Sequence, residues 1–244
     1  MKNSKINIKK ILLIIPAYNE SENILSVYKN IVQYNNKNKQ NYDILVINDG
    51  STDNTEEILC DNNINHIKLI HNLGIGGAVQ TGYKFALENN YDIAVQFDGD
   101  GQHDVKYVKN IIEPIINKKA NMVIGSRFID SNTSKFKSSA SRRAGIKIIS
   151  KVIKIKTGKK IYDTTSGFRA VDSNIMKIFS ESYPREYPEP ISTVNILNNN
   201  LIVKEEPVAM HERVGGTSSI KSWKTIYYMI NVILSILLTK GRNK

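Results

Sequence analysis

Ile93-Ala94-Val95-Gln96-Phe97 runs directly into Asp98-Gly99-Asp100-Gly101-Gln102-His103-Asp104, and a helical pattern from Val105 to Asn117 follows. Five mostly apolar residues followed by acids and glycines read as a buried strand opening into a loop. Asp-Gly is a hairpin signal when strands flank it, but a helix follows here, so the segment reads as a strand-to-helix connection. Asp98 and Asp100, with Gly99 between them, can turn toward one hard cation, and such a cation takes oxygen ligands and a diphosphate. His103 reads as a surface or capping residue and not as a ligand.

The same strand–loop–helix grammar extends outward from this stretch. Upstream, strands are expected at Ile11–Ile15, Ile44–Ile47 and Ile67–Ile70, with helices at Glu20–Tyr34, Thr52–Leu59 and Gly76–Asn89. Downstream comes a strand at Met122–Ile124. Strands separated by amphipathic helices predict an α/β fold with a mostly parallel sheet, in which ligands sit at the carboxyl ends of the strands. The second half is less regular. It offers a basic helix at Ser138–Thr157, a turn at Thr164–Gly167, a Pro-spaced loop at Glu186–Pro190, a strand near Ile202–Glu205, a Gly-rich loop at Gly215–Ser219 and a last helix at Ser222–Leu238. No linker divides the chain, which reads as one domain over 1–220 with a C-terminal amphipathic helix and basic tail over 221–244.

Three further loops follow predicted strands. Pro16-Ala17-Tyr18-Asn19-Glu20 leaves the first and Asn48-Asp49-Gly50-Ser51-Thr52-Asp53 leaves the second. Asn72-Leu73-Gly74-Ile75-Gly76-Gly77-Ala78 opens the third helix. Asp49 stands where a carboxylate can accept from a base or ribose, and Gly77 is one of the glycines that let a ligand approach the backbone. Taken singly, each is equally well a turn with a helix cap. The glycine loop is neither a dinucleotide fingerprint nor a P-loop, because it lacks their spacing and the Lys-Ser/Thr ending.

Length and composition bound the alternatives. With 244 residues, 41% of them hydrophobic, the chain can bury a sizeable core. One cysteine, Cys60, precludes an internal disulfide and fits a reducing compartment. A formal charge of +11 favours anionic partners. No stretch reaches the ~18–20 apolar residues that span a bilayer. Ile146–Lys156 sets Lys147, Lys151 and Lys154 on one helical face and Ile146, Ile149 and Ile153 on another. In the last helix Lys224, Tyr228, Asn231, Ser235 and Thr239 form a narrow polar stripe beside a broad apolar face. Both patterns suit a membrane surface or a small membrane-protein partner, and both equally suit packing on the main domain.

PAYNE, NDGSTD, NLGIGGA, DGDGQH, Gly125-Ser126-Arg127 and Asp163-Thr164-Thr165-Ser166-Gly167-Phe168-Arg169-Ala170, in this order, resemble family-2 glycosyltransferases of the GT-A fold, and more closely the polyprenol-phosphate and dolichol-phosphate sugar transferases. The resemblance covers about residues 11–220. It implies an inverting transfer from a UDP- or GDP-linked sugar with Mg²⁺ or Mn²⁺, to a polyprenyl-phosphate or lipid-linked acceptor in cell-envelope glycan synthesis. The enzyme would sit on the inner face of the cytoplasmic membrane. By the same resemblance Pro16, Tyr18, Glu20 and Asp49 line the nucleotide pocket, and Asp98, Asp100 and Gln102 hold the metal. Arg127, one of Arg142 or Arg143, and Arg213 grip phosphates; Ser218 belongs to the loop that closes over the diphosphate. Asp163 and Glu189 lie near the acceptor and are candidate bases if that acceptor is a sugar hydroxyl. A phosphate acceptor is already anionic and needs none.

The sequence departs from the family at two places: Asn48 replaces a second Asp, and Ile191 replaces a Glu after EYPEP. A sugar nucleotidyltransferase would be expected to carry a basic Gly-rich loop after the first strand, where PAYNE stands. A nucleic-acid binder would show basic and aromatic residues interleaved, and no such pattern occurs, so no nucleic-acid partner is expected. A non-catalytic scaffold would not need Asp98 and Asp100 together.

Overall fold

The computed structural model describes residues 9–130, 140–211 and 222–239. Seven strands form one sheet: β1 (Ile11–Ala17), β2 (Tyr42–Asn48), β3 (His66–Lys68), β4 (Ile93–Gln96), β5 (Met122–Ser126), β6 (Arg169–Asp172) and β7 (Val203–Pro207), in spatial order β3-β2-β1-β4-β6-β5-β7. All pairings are parallel except those of β6, which runs antiparallel to both β4 and β5. The expected mostly parallel α/β sheet is therefore present.

Helices cover both faces, because strand side chains alternate between them. On β1, Ile11, Leu13 and Ile15 point into one core with α1 (Ile24–Asn38) and α4 (Val108–Ile116). Leu12 and Ile14 point into the other, with α3 (Gly74–Glu88), α5 (Ala140–Thr157), α6 (Ser173–Glu181), α7 (Pro188–Asn198) and α8 (Ser222–Leu238). The short helix α2 (Thr55–Asp61) adds Leu59 to the first core. Gly82 lets α3 lie close on the sheet, since a Cβ there would stand 2.3 Å from Ile14 Cγ2.

Several elements differ from the sequence reading. The third strand is His66–Lys68 and not Ile67–Ile70; β2 ends at Asn48, so nothing remains for Ile70 to pair with, and it is 90% exposed. The first strand runs on through Pro16 and Ala17. Proline is tolerated there because pairing with β4 stops at Ile14, so the missing N–H removes no ladder bond on that side. The Pro-spaced segment is a loop only as far as Tyr187, whose φ of 52° caps a helix. Pro188 then occupies the first helical position, where its absent N–H costs nothing. The structure also adds β6 and α6, which the sequence reading did not anticipate.

The last helix packs on the main domain. Val232 and Ile236 are fully buried in the same core as Ile149 and Ile153 of α5, and Lys156 Nζ donates to the Leu237 carbonyl at 2.9 Å. Ile230, Leu234, Leu237 and Leu238 of this helix remain exposed, as do Ile148 and Ile155 of α5. Among the described residues no helix is long and apolar enough to cross a membrane.

Candidate active site

The carboxyl ends of β1, β2, β4 and β5 open at one edge of the sheet, and antiparallel β6 brings its amino end there as well. The loop 163–168, which leads into β6, therefore meets the 97–104 loop leaving β4. Two chemistry-bearing segments 60-odd residues apart in sequence thus share one site through the reversal of a single strand.

Asp98 is held from three directions. Its backbone N–H donates to His103 Nδ1 at 3.0 Å, so the proton of the neutral ring sits on Nε2, 3.5 Å from Asp98 Oδ2. Burial lowers the pKa of His103, which keeps that ring neutral. The ring stacks on Phe168 with centroids 4.7 Å apart. Gln96 Nε2 reaches Asp98 Oδ1 at 3.4 Å. Gly167 supplies the third constraint, since a Cβ there would lie 2.9 Å from Asp98 Oδ2. The Asp98 side chain keeps 33% exposure. Asp100 Oδ1 accepts from the backbone N–H of Gln102 at 3.1 Å, and the Gln102 side chain reaches toward the His211 carbonyl at 3.5 Å. Asp98, oriented by a neutral imidazole, and Asp100 two residues on offer the carboxylate oxygens that a hard divalent cation takes.

Arg127 and Asp163 form a buried bidentate pair, with Nε–Oδ2 at 2.7 Å and Nη2–Oδ1 at 2.8 Å. The Arg127 backbone N–H also donates to Asp163 Oδ2 at 3.0 Å, and Nη2 donates to Thr165 Oγ1 at 3.1 Å. Asp163 is fully buried, and Glu205 accepts the Asp163 N–H at 2.8 Å. Removing one partner of such a pair costs about 3–5 kcal/mol. In this geometry Asp163 orients Arg127, and both of its oxygens are already engaged.

Glu189 lies at the start of α7, half-buried, and withdrawal from water raises its pKa above the usual carboxylate range; the neighbouring Arg169 pulls it back down. Arg169 is among the functional residues the sequence reading missed. It is fully buried, donates through Nε to the Ser166 carbonyl at 2.7 Å, and through Nη1 to the Glu189 carbonyl at 2.8 Å and to Ser192 and Thr193 hydroxyls at 3.1 Å. It thereby ties α7 to the loop beneath Asp98. His103 was also missed as an orienting residue. Both stand inside quoted motifs, but their partners are remote in sequence.

The first two loops are knit together. Asn19, at φ 55°, accepts the Thr52 N–H at 2.8 Å, and its own N–H donates to Ser51 Oγ at 3.0 Å. The Glu20 N–H donates to Thr55 Oγ1 at 3.0 Å, and the Ser21 N–H to Asp53 Oδ2 at 3.1 Å. Asp49 is buried and accepts the Leu73 N–H at 2.7 Å, so it fastens the glycine loop to β2. Gly77 is buried against Leu73, whose Cβ a side chain would meet at 2.4 Å. Tyr18 is half exposed at the mouth of the crevice, and Pro16 is buried in β1. Arg213 and Ser218 lie outside the described residues, as does the side chain of Arg142.

The chain belongs to glycosyl transferase family 2, whose profile matches residues 12–179. It is a glycosyltransferase, and its sheet and loops are those of the GT-A fold. Among its relatives is a UDP-N-acetylglucosamine–dolichyl-phosphate N-acetylglucosaminyltransferase of Methanococcus voltae, 35% identical over 91% of this chain and 95% of that one. A polyprenol monophosphomannose synthase of Mycolicibacterium smegmatis is 28% identical over 86% of this chain and 80% of that one. Among solved structures, glucosyl-3-phosphoglycerate synthase of Mycobacterium tuberculosis, in complex with Mn²⁺, UDP and glucosyl-3-phosphoglycerate, superposes with a TM-score of 0.68 at 17% identity, covering 94% of this chain and 79% of that one.

Proposed function

We propose that this enzyme transfers a sugar from a nucleotide sugar to a polyprenyl phosphate, with inversion, using Mg²⁺ or Mn²⁺. The observation that carries the reading is Asp98, oriented by neutral His103 and by Gly167 at the edge where the 163–168 loop converges, with Asp100 two residues on. Asp98 and Asp100, with Gln102 adjacent, would hold the cation. When bound, it supplies positive charge to the donor diphosphate. Pro16, Tyr18, Glu20 and Asp49 frame the nucleotide side, and Arg127, fixed by Asp163, adds cationic character on the acceptor side.

In the transfer step an anionic acceptor oxygen attacks the anomeric carbon in line. The new C–O bond forms as the bond to the nucleoside diphosphate breaks, and the electron pair leaves with that group. A phosphate oxygen needs no deprotonation, so Asp163 can be committed to Arg127 without loss of chemistry. If the acceptor is instead a sugar hydroxyl, Glu189 is the candidate base, because its raised pKa suits it to take a proton.

A cavity of about 580 Å³ supports the lipid-phosphate reading. Its walls include Phe128, Ile146 and Tyr162, and its rim carries Arg143, Lys147 and Lys151. Phe128 and Tyr162 directly adjoin Arg127 and Asp163 in sequence. Apolar walls with a cationic rim suit a phosphate that carries a hydrocarbon chain. The exposed apolar residues of α5 and α8 suit a peripheral position on the inner membrane surface, in the service of envelope glycan synthesis.

The test is transfer by purified enzyme from a panel of UDP- and GDP-sugars, UDP-N-acetylglucosamine first, to undecaprenyl or dolichyl phosphate. Glycolipid formation should require Mn²⁺ or Mg²⁺. Asp100→Asn should lower kcat by about 10²–10³-fold, the scale of losing one charge-stabilising group, with an unchanged denaturation midpoint. Chelator-resistant turnover, or a fully active Asp100→Asn enzyme, would refute the metal assignment.

A further inference from the structure

Glu56 and Cys60 stand one turn apart on α2, and His66 lies across from them on the edge strand β3. One ligand atom from each falls within 4.8 Å of the others. This cluster sits at the β3 edge of the sheet, away from the 97–104 loop, and the transfer chemistry makes no use of it.

The imidazole shows what the cluster is built for. His66 Nδ1 lies 2.8 Å from the Ile64 carbonyl, which can only accept, so Nδ1 carries the proton. With Nδ1 so engaged, Nε2 is the ring atom that faces Glu56 Oε1, 3.5 Å away. A ring nitrogen and a carboxylate oxygen at this separation are joined by a shared cation, either a second ring proton or a metal ion, and the thiol beside them favours the metal. An N–H donated to a backbone carbonyl is also the arrangement that orients metal-bound histidines. Cys60 adds an exposed thiol that deprotonates on binding a metal. Lys68 Nζ lies 3.5 Å from the same Glu56 oxygen, but its side chain is 56% exposed and can turn to water.

We propose that Glu56, Cys60 and His66 form a binding site for a borderline-soft divalent cation, Zn²⁺ by its ligand chemistry, with water in the fourth position. A Cys–His–carboxylate set matches zinc preferences and not those of Mg²⁺. The other Glu56 oxygen accepts from Asn48 Nδ2 at 2.6 Å, and Asn48 Oδ1 accepts the Ser51 N–H at 3.0 Å. The cation would therefore clamp β3 to α2 and, through one carboxylate, brace the 48–53 turn on the nucleotide side of the cleft.

Cys60 is the sole cysteine, so thiol chemistry reports on this site alone. The full chain, stripped of metal and carrying Asp100→Asn to weaken the other cation site, is titrated with Zn²⁺ while Cys60 alkylation is timed. Zn²⁺ should bind once per chain and slow alkylation at least tenfold. Cys60→Ser and His66→Gln, in the same background, should each weaken Zn²⁺ at least tenfold, the scale of losing a ligand. Co²⁺ should give a thiolate charge-transfer band that Cys60→Ser abolishes. Cys60 is exposed, so Cys60→Ser decides the matter even if His66→Gln fails to fold. Alkylation indifferent to Zn²⁺, or equal Zn²⁺ affinity with and without Cys60, overturns the proposal and leaves an imidazolium–carboxylate pair as the reason the two side chains meet.

Discussion

Asp53 shows how one side chain holds two turns in register. Burial works against its ionisation, but bonds from Thr55 and Ser21 outweigh this and hold its carboxyl below the ordinary carboxylate range. A carboxylate with a depressed folded-state pKa contributes stability above the unfolded value of about 3.9, and that contribution is lost as pH falls through the folded value. Asp53→Ala should therefore cost about 1 kcal/mol near pH 7, the scale of a lost cap. The deficit against wild type should persist to about pH 5 and shrink below pH 4. Urea midpoints of both proteins across this range test it, and a deficit independent of pH would show that packing, not charge, is what Asp53 supplies. His103 and Asp163 carry the same lesson: each sets the orientation of a neighbouring side chain, Asp98 and Arg127 in turn.

At the scale of elements, α3 lies close on β1 at Gly82. Gly82 sits mid-helix, where alanine would ordinarily gain about 1 kcal/mol in helix propensity. Here the added methyl would collide with Ile14, which is fully buried. Overpacking of this kind costs about 1–3 kcal/mol. Gly82→Ala should lower the denaturation midpoint, and a variant more stable than wild type would show that α3 can shift outward. The antiparallel strand β6 is the other decisive element. It carries Ala170 and Val171 into opposite cores and delivers Gly167 to the carboxylate of Asp98.

Across the whole molecule, helices α5 and α8 are built into the core along one side and leave isoleucines and leucines uncovered on another. With the lysines of α5 this makes a basic and apolar exterior. On vesicles containing anionic lipid, the protein should sediment with the membrane in a salt-dependent manner. A Leu234→Ser, Leu237→Ser double variant should bind at least tenfold more weakly without a change in melting temperature, because both residues are half exposed. Lys147→Gln and Lys151→Gln should each weaken binding about fivefold, from roughly 1 kcal/mol per lysine near such a surface. Equal sedimentation of wild type and double variant would remove α8 from the membrane-facing surface.

The sequence by itself determined the α/β class, a strand ahead of each of the first four motif loops and the order of motifs that marks the family. These depend on periodicity and local turn chemistry, which act over a few residues. It also grouped Ile146, Ile149 and Ile153 on one face of α5 without deciding what that face meets; the structure buries all three. It did not reveal β6, because a four-residue strand that begins with a buried arginine has no apolar run to announce it. Nor did it reveal the helix after Tyr187, since closely spaced prolines read as a loop until the backbone places Pro188 at a helix start. That α8 packs on the domain was equally open, because an apolar stripe fits a core and a membrane alike. Only the tertiary structure engaged Asp163 with Arg127, set His103 behind Asp98 and brought His66 to Glu56 and Cys60. Each of these contacts joins residues whose proximity is decided by strand order and direction, which no local pattern encodes.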